Sequence, residues 1–139
     1  MIEVVNRQRK LRIDPQRWQA FSEKAVAAIV KKPCDATIAF VSDRQIQDLN
    51  KRFRGIDKAT DVLSFPAGEE VGATSVNLGD IAISLERAAI QAKENRLTRD
   101  QEIAQLILHG LLHLCGYDHE TDTGQMNRLE LRLRKQLGI

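Results

Sequence analysis

Cysteine is scarce. Cys34 and Cys115 are the only two in 139 residues, too few for the disulfide framework of a small secreted scaffold. No apolar run approaches the roughly 20 residues needed to span a bilayer. The opening MIEVVNRQRK lacks the basic-then-apolar order of a signal peptide, so a reducing cytoplasm is the expected location. Nor does a repeat, a low-complexity tract or a Pro/Gly-rich linker divide the chain. These absences exclude collagen-like, disulfide-stapled, strongly disordered and membrane-spanning classes. What remains is an ordinary globular mixture, 42% hydrophobic and 29% charged. A single domain over residues 1–139 is expected, long enough to bury one core without staples.

The net charge of +2 conceals an uneven distribution. Residues 1–58 carry 13 Lys/Arg and 7 Asp/Glu, net +6, whereas residues 59–139 carry 8 and 12, net −4. A basic half can meet a polyanion through steering and counterion release. Alone, it equally describes an unevenly charged solvated surface.

Periodicity and punctuation outline the elements. Ile2 to Val5 reads as a short strand. Asp14-Pro15 starts a helix, Asp as N-cap and Pro in the first turn, running to about Lys31 and burying Trp18, Phe21, Ala25 and Ile29; Pro33 stops it. Ala36 to Val41 reads as a strand, and Ser42 caps a helix through about Phe53, with Ile46 and Leu49 inward. A polar loop from Arg54 to Ala59 precedes a strand, Val62 to Phe65, that Pro66 ends. Pro66 to Asn77 reads as a loop. Gly79 to Ser84 reads as a strand, and Ser84 caps a helix to about Asn95. Thr98 and Gln101 fit a capping box, and a last helix runs from about Thr123 to Leu137. The fold class expected is α+β: a small mixed sheet packed with about five helices.

All three histidines fall within His109-Gly-Leu-Leu-His113-Leu-Cys-Gly-Tyr-Asp-His119. One helical turn separates His109 from His113, about 40° apart around the axis, so both imidazoles can face one ion. Gly116 can end the helix in a left-handed conformation, and the reversed chain can return His119 to the same ion. Three imidazoles and an open fourth position describe a catalytic zinc site rather than a closed structural one. The helix is apolar almost all round apart from this stripe, which predicts a central position. Glu102 and Gln105 lie along the same stripe. They orient an imidazole, line the rim of the site or face solvent near the helix start. Gly110 stands where H-E-x-x-H proteases place their general base, which argues against peptide hydrolysis. Cys115 lies between two of the histidines and is a fourth-ligand candidate, but it precedes the turn glycine and projects away from them, so it reads rather as a small core residue; Cys34 reads as packing.

This histidine segment resembles the H-G-x-L-H-L-x-G-Y-D-H signature of the YbeY family of bacterial endoribonucleases. Two further blocks agree: Leu49-Asn50-Lys51-Arg52-Phe53-Arg54-Gly55 followed by Thr60-Asp61-Val62-Leu63-Ser64-Phe65-Pro66, and Leu78-Gly79-Asp80-Ile81-Ala82-Ile83-Ser84. Order, spacing and length fit over essentially the whole chain. The resemblance implies a metal-dependent, single-strand-directed endoribonuclease that matures ribosomal RNA, notably 16S rRNA ends, and acts in ribosome quality control. It implies one Zn²⁺ on His109, His113 and His119, and a functional arginine at Arg54. The implied partners are single-stranded rRNA and the small ribosomal subunit or its assembly proteins, with no membrane and no DNA.

In such an enzyme Arg54 would clamp phosphate oxygens through its planar fork. The general base stays open. Asp61 and Asp118 are near candidates, each with a structural alternative: Asp118 capping the turn or orienting a ligand, Asp61 fixing the loop before its strand. Asp80 is expected to support a turn. Attack by water and attack by a 2′-hydroxyl both remain. Arg7, Arg9, Lys10, Arg12, Lys51, Arg52 and Lys58 could track an RNA backbone. Phe53 and Tyr117 are expected in core or turn packing rather than in base stacking. Two other functions compete, a non-catalytic ribosome assembly factor with a structural metal and a metallohydrolase of another substrate.

Overall fold

The computed structural model describes residues 1–68, 75–117 and 124–139. Four strands and five helices follow one another as β1 (Ile2–Asn6), α1 (Pro15–Ile29), β2 (Cys34–Val41), α2 (Asp43–Arg54), β3 (Val62–Pro66), β4 (Val76–Ser84), α3 (Leu85–Glu94), α4 (Arg99–Leu114) and α5 (Gln125–Leu137). The strands form one mixed sheet of order β1-β2-β4-β3. β1, β2 and β4 run parallel, and β3 pairs antiparallel with β4 at one edge. The α+β expectation of a small mixed sheet with five helices is met.

Local chemistry starts most helices where the sequence places them. Asp14 accepts hydrogen bonds from the backbone N–H groups of Gln16 and Arg17. Ser42 with Gln45, and Thr98 with Gln101, form complete capping boxes, each satisfying two donors that a helix start leaves orphaned. β4 departs furthest from expectation, starting at Val76 rather than Gly79. A bulge between Asp35 and Ala36 shifts its register against β2. Gly79 sits there at φ +122°, and a Cβ on it would run into the Phe65 carbonyl of β3. A glycine that reads as a strand breaker is thus required by close approach of backbones inside the sheet. Asp80, expected in a turn, lies exposed within β4 opposite Phe65 and Thr37.

Strand alternation sends side chains to two faces. On one face Ile2, Val4, Ala36, Ile38, Phe40, Ile81 and Ile83 pack with residues of α1, α3 and α4, including Trp18, Ala25, Leu85, Ile103, Ile107 and Leu111. On the other face Val41, Leu63, Ala82 and Phe65 meet Ile46 and Leu49 of α2. α5 closes the far side of α4, where Met126 and Leu133 pack on Leu108 and Leu112. α4 is therefore enclosed between sheet and helix, which is why it is apolar nearly all round. Among the described residues no helix is long and apolar enough to cross a membrane.

Candidate metal centre

α4 approaches the sheet closely at Gly110. A Cβ there would lie 2.9 Å from Cδ1 and 3.1 Å from Cγ2 of Ile81, whose side chain is buried in the core. The glycine between the histidines thus answers to packing against β4. A glutamate at this position would have to enter the space Ile81 fills, so the missing H-E-x-x-H base has a steric cause.

His109 and His113 project from the neighbouring face of the helix, one turn apart. Their Nε2 atoms are 3.1 Å from each other, with ring centroids 4.6 Å apart and planes inclined at 71°. Two imidazoles bound tetrahedrally at zinc distances place their nitrogens about 3.3 Å apart, so this pair is arranged to share an ion. The helix ends directly beyond. Gly116, at φ +95°, brings its N–H to the His113 carbonyl at 3.0 Å and the Tyr117 N–H to the Leu112 carbonyl at 3.1 Å, the paired hydrogen bonds of a Schellman turn. The expected left-handed stop is present. His119 and Asp118 lie outside the described residues. Among the described residues no cluster of three or more metal-ligating side chains occurs.

Behind His109 stands a residue the sequence reading did not single out. Nδ1 of His109 is 2.9 Å from Oε1 of Glu130 on α5, and the other Glu130 oxygen is 3.7 Å from Nη2 of Arg134. A carboxylate accepts but does not donate, so Nδ1 carries the proton and Nε2 keeps its lone pair toward His113. Glu130 is buried, at 5% exposure. Its signal in the sequence is a carboxylate inside the apolar stripe formed by Met126, Leu129, Leu133 and Leu137.

A cavity of about 400 Å³ opens beside His109, lined by Asp61, Gln91, Glu102, Gln105, Glu130 and Arg134 among others. Glu102 is buried. Burial pushes its carboxyl above the usual range, against the opposing effect of a hydrogen bond with Asn95. With its amide turned to satisfy both partners, Gln91 donates to Glu102 at 3.0 Å and to Asp61 at 3.1 Å. Glu102 and Gln105 therefore line the cavity, as the rim expectation has it, rather than facing open solvent. Asp61 also accepts from the Val62 N–H at 2.8 Å and from the Thr60 hydroxyl at 3.2 Å, which fixes the start of β3. Carboxylates dominate this wall, and such a surface repels a phosphate.

The remaining candidates are dispersed. Arg54 is exposed at the end of α2. The helices bearing Arg54 and the two imidazoles lie on opposite faces of the sheet. Edge strand β3 touches both, through Phe65 toward α2 and through the Ser64 hydroxyl, which donates to the Gly110 carbonyl at 3.5 Å. Phe53 departs from expectation. It is 61% exposed and meets Phe65 edge-on at 5.3 Å, because α2 turns this position off its buried stripe. Tyr117 is also exposed. Cys115 caps α4 and packs partly buried against the core. Its thiol is pushed up to about 11 by burial, which disfavours the thiolate a ligand requires. Cys34 is buried in the core. Of the basic residues, Lys10 pairs with Glu86 at 3.4 Å and Lys51 with Asp57 at 3.9 Å, both at the exposed surface.

Comparison with known proteins identifies the family. A family model described as endoribonuclease YbeY matches residues 3–138. An endoribonuclease YbeY of Solibacter usitatus is 50% identical over 107 residues, covering 77% of this chain and 67% of that one. One of Alkaliphilus metalliredigens is 34% identical over 144 residues, covering 96% and 93%. A solution structure of a Thermotoga maritima protein superposes with a TM-score of 0.66 at 28% identity, over 99% of this chain and 89% of that one. With the family model spanning nearly its full length and the paired histidines on its central helix, the chain belongs to the endoribonuclease YbeY family.

Proposed function

We propose that this protein is a zinc-dependent, single-strand-directed endoribonuclease of rRNA maturation, acting on 16S rRNA 3′ ends and in ribosome quality control within the cytoplasm. The observation that carries the metal part is the 3.1 Å approach of two imidazole Nε2 atoms on a buried helix. His109, His113 and His119 would hold one Zn²⁺. When bound, the ion supplies Lewis acidity toward the phosphodiester and its nucleophile.

The chain's own groups do the rest. Glu130 keeps the His109 proton on Nδ1. Arg54, free of α2's packed face, reaches the substrate around the β3 edge and clamps phosphate oxygens as negative charge grows. Lys51, Arg52 and Lys58 flank it and draw in the backbone. The acidic wall beside His109 turns phosphates away, so the strand approaches along a path that avoids it. Small-subunit components would present the rRNA end.

The test is cleavage of a single-stranded 16S 3′-end precursor RNA by wild type, Arg54→Ala and His113→Ala, purified identically, with and without chelator. Wild-type cleavage that both substitutions and chelation abolish is expected. Equal cleavage by all three would expose a contaminating nuclease. No cleavage by any would favour the assembly role or a requirement for a ribosomal partner.

A further inference from the structure

Glu130 is neither one of the three histidines nor the arginine, yet it is the group His109 leans on. We infer that Glu130 is a positioning residue that selects the His109 tautomer and ring orientation, and so sets the affinity of the α4 imidazoles for a metal ion. The inference rests on the metal reading proposed above.

Four observations converge. The Glu130 carboxylate is held 2.9 Å from Nδ1 of His109. It is nearly inaccessible, at 5% exposure, so water cannot readily replace it as acceptor. It comes from a different helix, and α5 is held in place by Met126 and Leu133 seated on Leu108 and Leu112. Finally, Arg134, one turn along α5, stands 3.7 Å from the second carboxylate oxygen and restrains the carboxylate itself.

An imidazole with no anchored partner exchanges its proton between two nitrogens and can turn over. Only one of those forms sends a lone pair toward His113. A carboxylate behind the ring removes the wrong forms and makes the ligating nitrogen more basic, and such partners typically carry 10–100-fold in metal affinity. The docking of α5 thereby becomes part of the metal site, although that helix contributes none of the three histidines.

The experiment uses the full chain stripped of metal by chelator. Zn²⁺ affinity is measured by chelator competition for wild type, Glu130→Gln, Glu130→Ala and His113→Ala. Imidazole ¹⁵N spectra of the metal-free proteins report the tautomer. Glu130→Ala is expected to bind Zn²⁺ about 10–100-fold more weakly, with His109 spread over both tautomers. Glu130→Gln keeps an acceptor and nearly the same shape. It is expected to lose less affinity and to retain the Nδ1–H form, and it carries the test should the alanine variant fold poorly. Wild-type affinity and a wild-type tautomer in both Glu130 variants, with binding lost in His113→Ala, would overturn the positioning role alone. Failure of the wild type to bind Zn²⁺ would overturn the metal reading and this inference together.

Discussion

Gly110→Ala isolates the contact that sets the height of α4 above the sheet. Two effects oppose each other. Replacing a mid-helix glycine by alanine returns about 0.5–1 kcal/mol of helix propensity. Against it, the new methyl would lie 2.9 Å from Cδ1, 3.1 Å from Cγ2 and 3.3 Å from Cγ1 of Ile81. Ile81 is 1% exposed and cannot swing into solvent, and overpacking of this kind costs about 1–3 kcal/mol. The packing term wins, and Gly110→Ala should be destabilised by about 1 kcal/mol net, a fall in Tm of about 3–4 °C for a chain of this size. Ile81→Val deletes the Cδ1 atom of the closest contact. Alone it should cost about 0.5–1.5 kcal/mol, but in the Gly110→Ala background it should cost far less, because it also relieves the clash. Urea unfolding of wild type, both single variants and the double variant, all stripped of metal, closes the cycle. A coupling of about 1 kcal/mol is expected. Additivity within about 0.5 kcal/mol, or a Gly110→Ala protein more stable than wild type, would refute the claim that this glycine is required by the sheet.

Three further outcomes follow from other parts of the molecule. Burial holds the Glu102 carboxyl above its ordinary range, so the folded chain keeps that proton to higher pH than the unfolded chain. Stability is therefore lost as pH rises from the unfolded value through the folded one; Glu102→Gln should gain on wild type over that interval and hold its advantage at neutral pH, as read from urea midpoints between pH 4 and 8. Gly116→Ala places a Cβ at φ +95° and should cost about 1–2 kcal/mol, with a thermal melt on metal-free protein as the check. Ser42→Ala removes the hydroxyl that accepts from the Gln45 N–H at 3.2 Å and should cost about 1 kcal/mol, measured by urea unfolding.

Much of the fold was legible because local chemistry and tertiary structure agree. Asp14, Ser42, Ser84 and Thr98 each offer a side-chain oxygen to orphaned helix N–H groups, and each is an N-cap in the structure. β4 is three residues longer than its sequence pattern suggests, because Gly79 looks like an end when only its neighbours in the chain are considered. Its requirement comes from β3, through the Phe65 carbonyl. Phe53 was expected in packing for a related reason. An aromatic next to a buried position reads as core until the helix is docked and shows which side faces out.

The site divides along the same line. His109 and His113 could be paired from sequence alone, because a one-turn spacing within one helix fixes their proximity before any tertiary contact forms. The stop at Gly116 was equally local. Glu130 was not, since its partner is 21 residues away, on a helix whose position depends on Met126 and Leu133 finding Leu108 and Leu112. Nor was the placement of Arg54, whose helix lies on the far side of the sheet from the imidazoles although the resemblance assigns both to one site. Spacing along one helix is a property of the chain; the approach of two helices, and the side of a sheet on which each lies, are decided only when distant apolar surfaces are buried together.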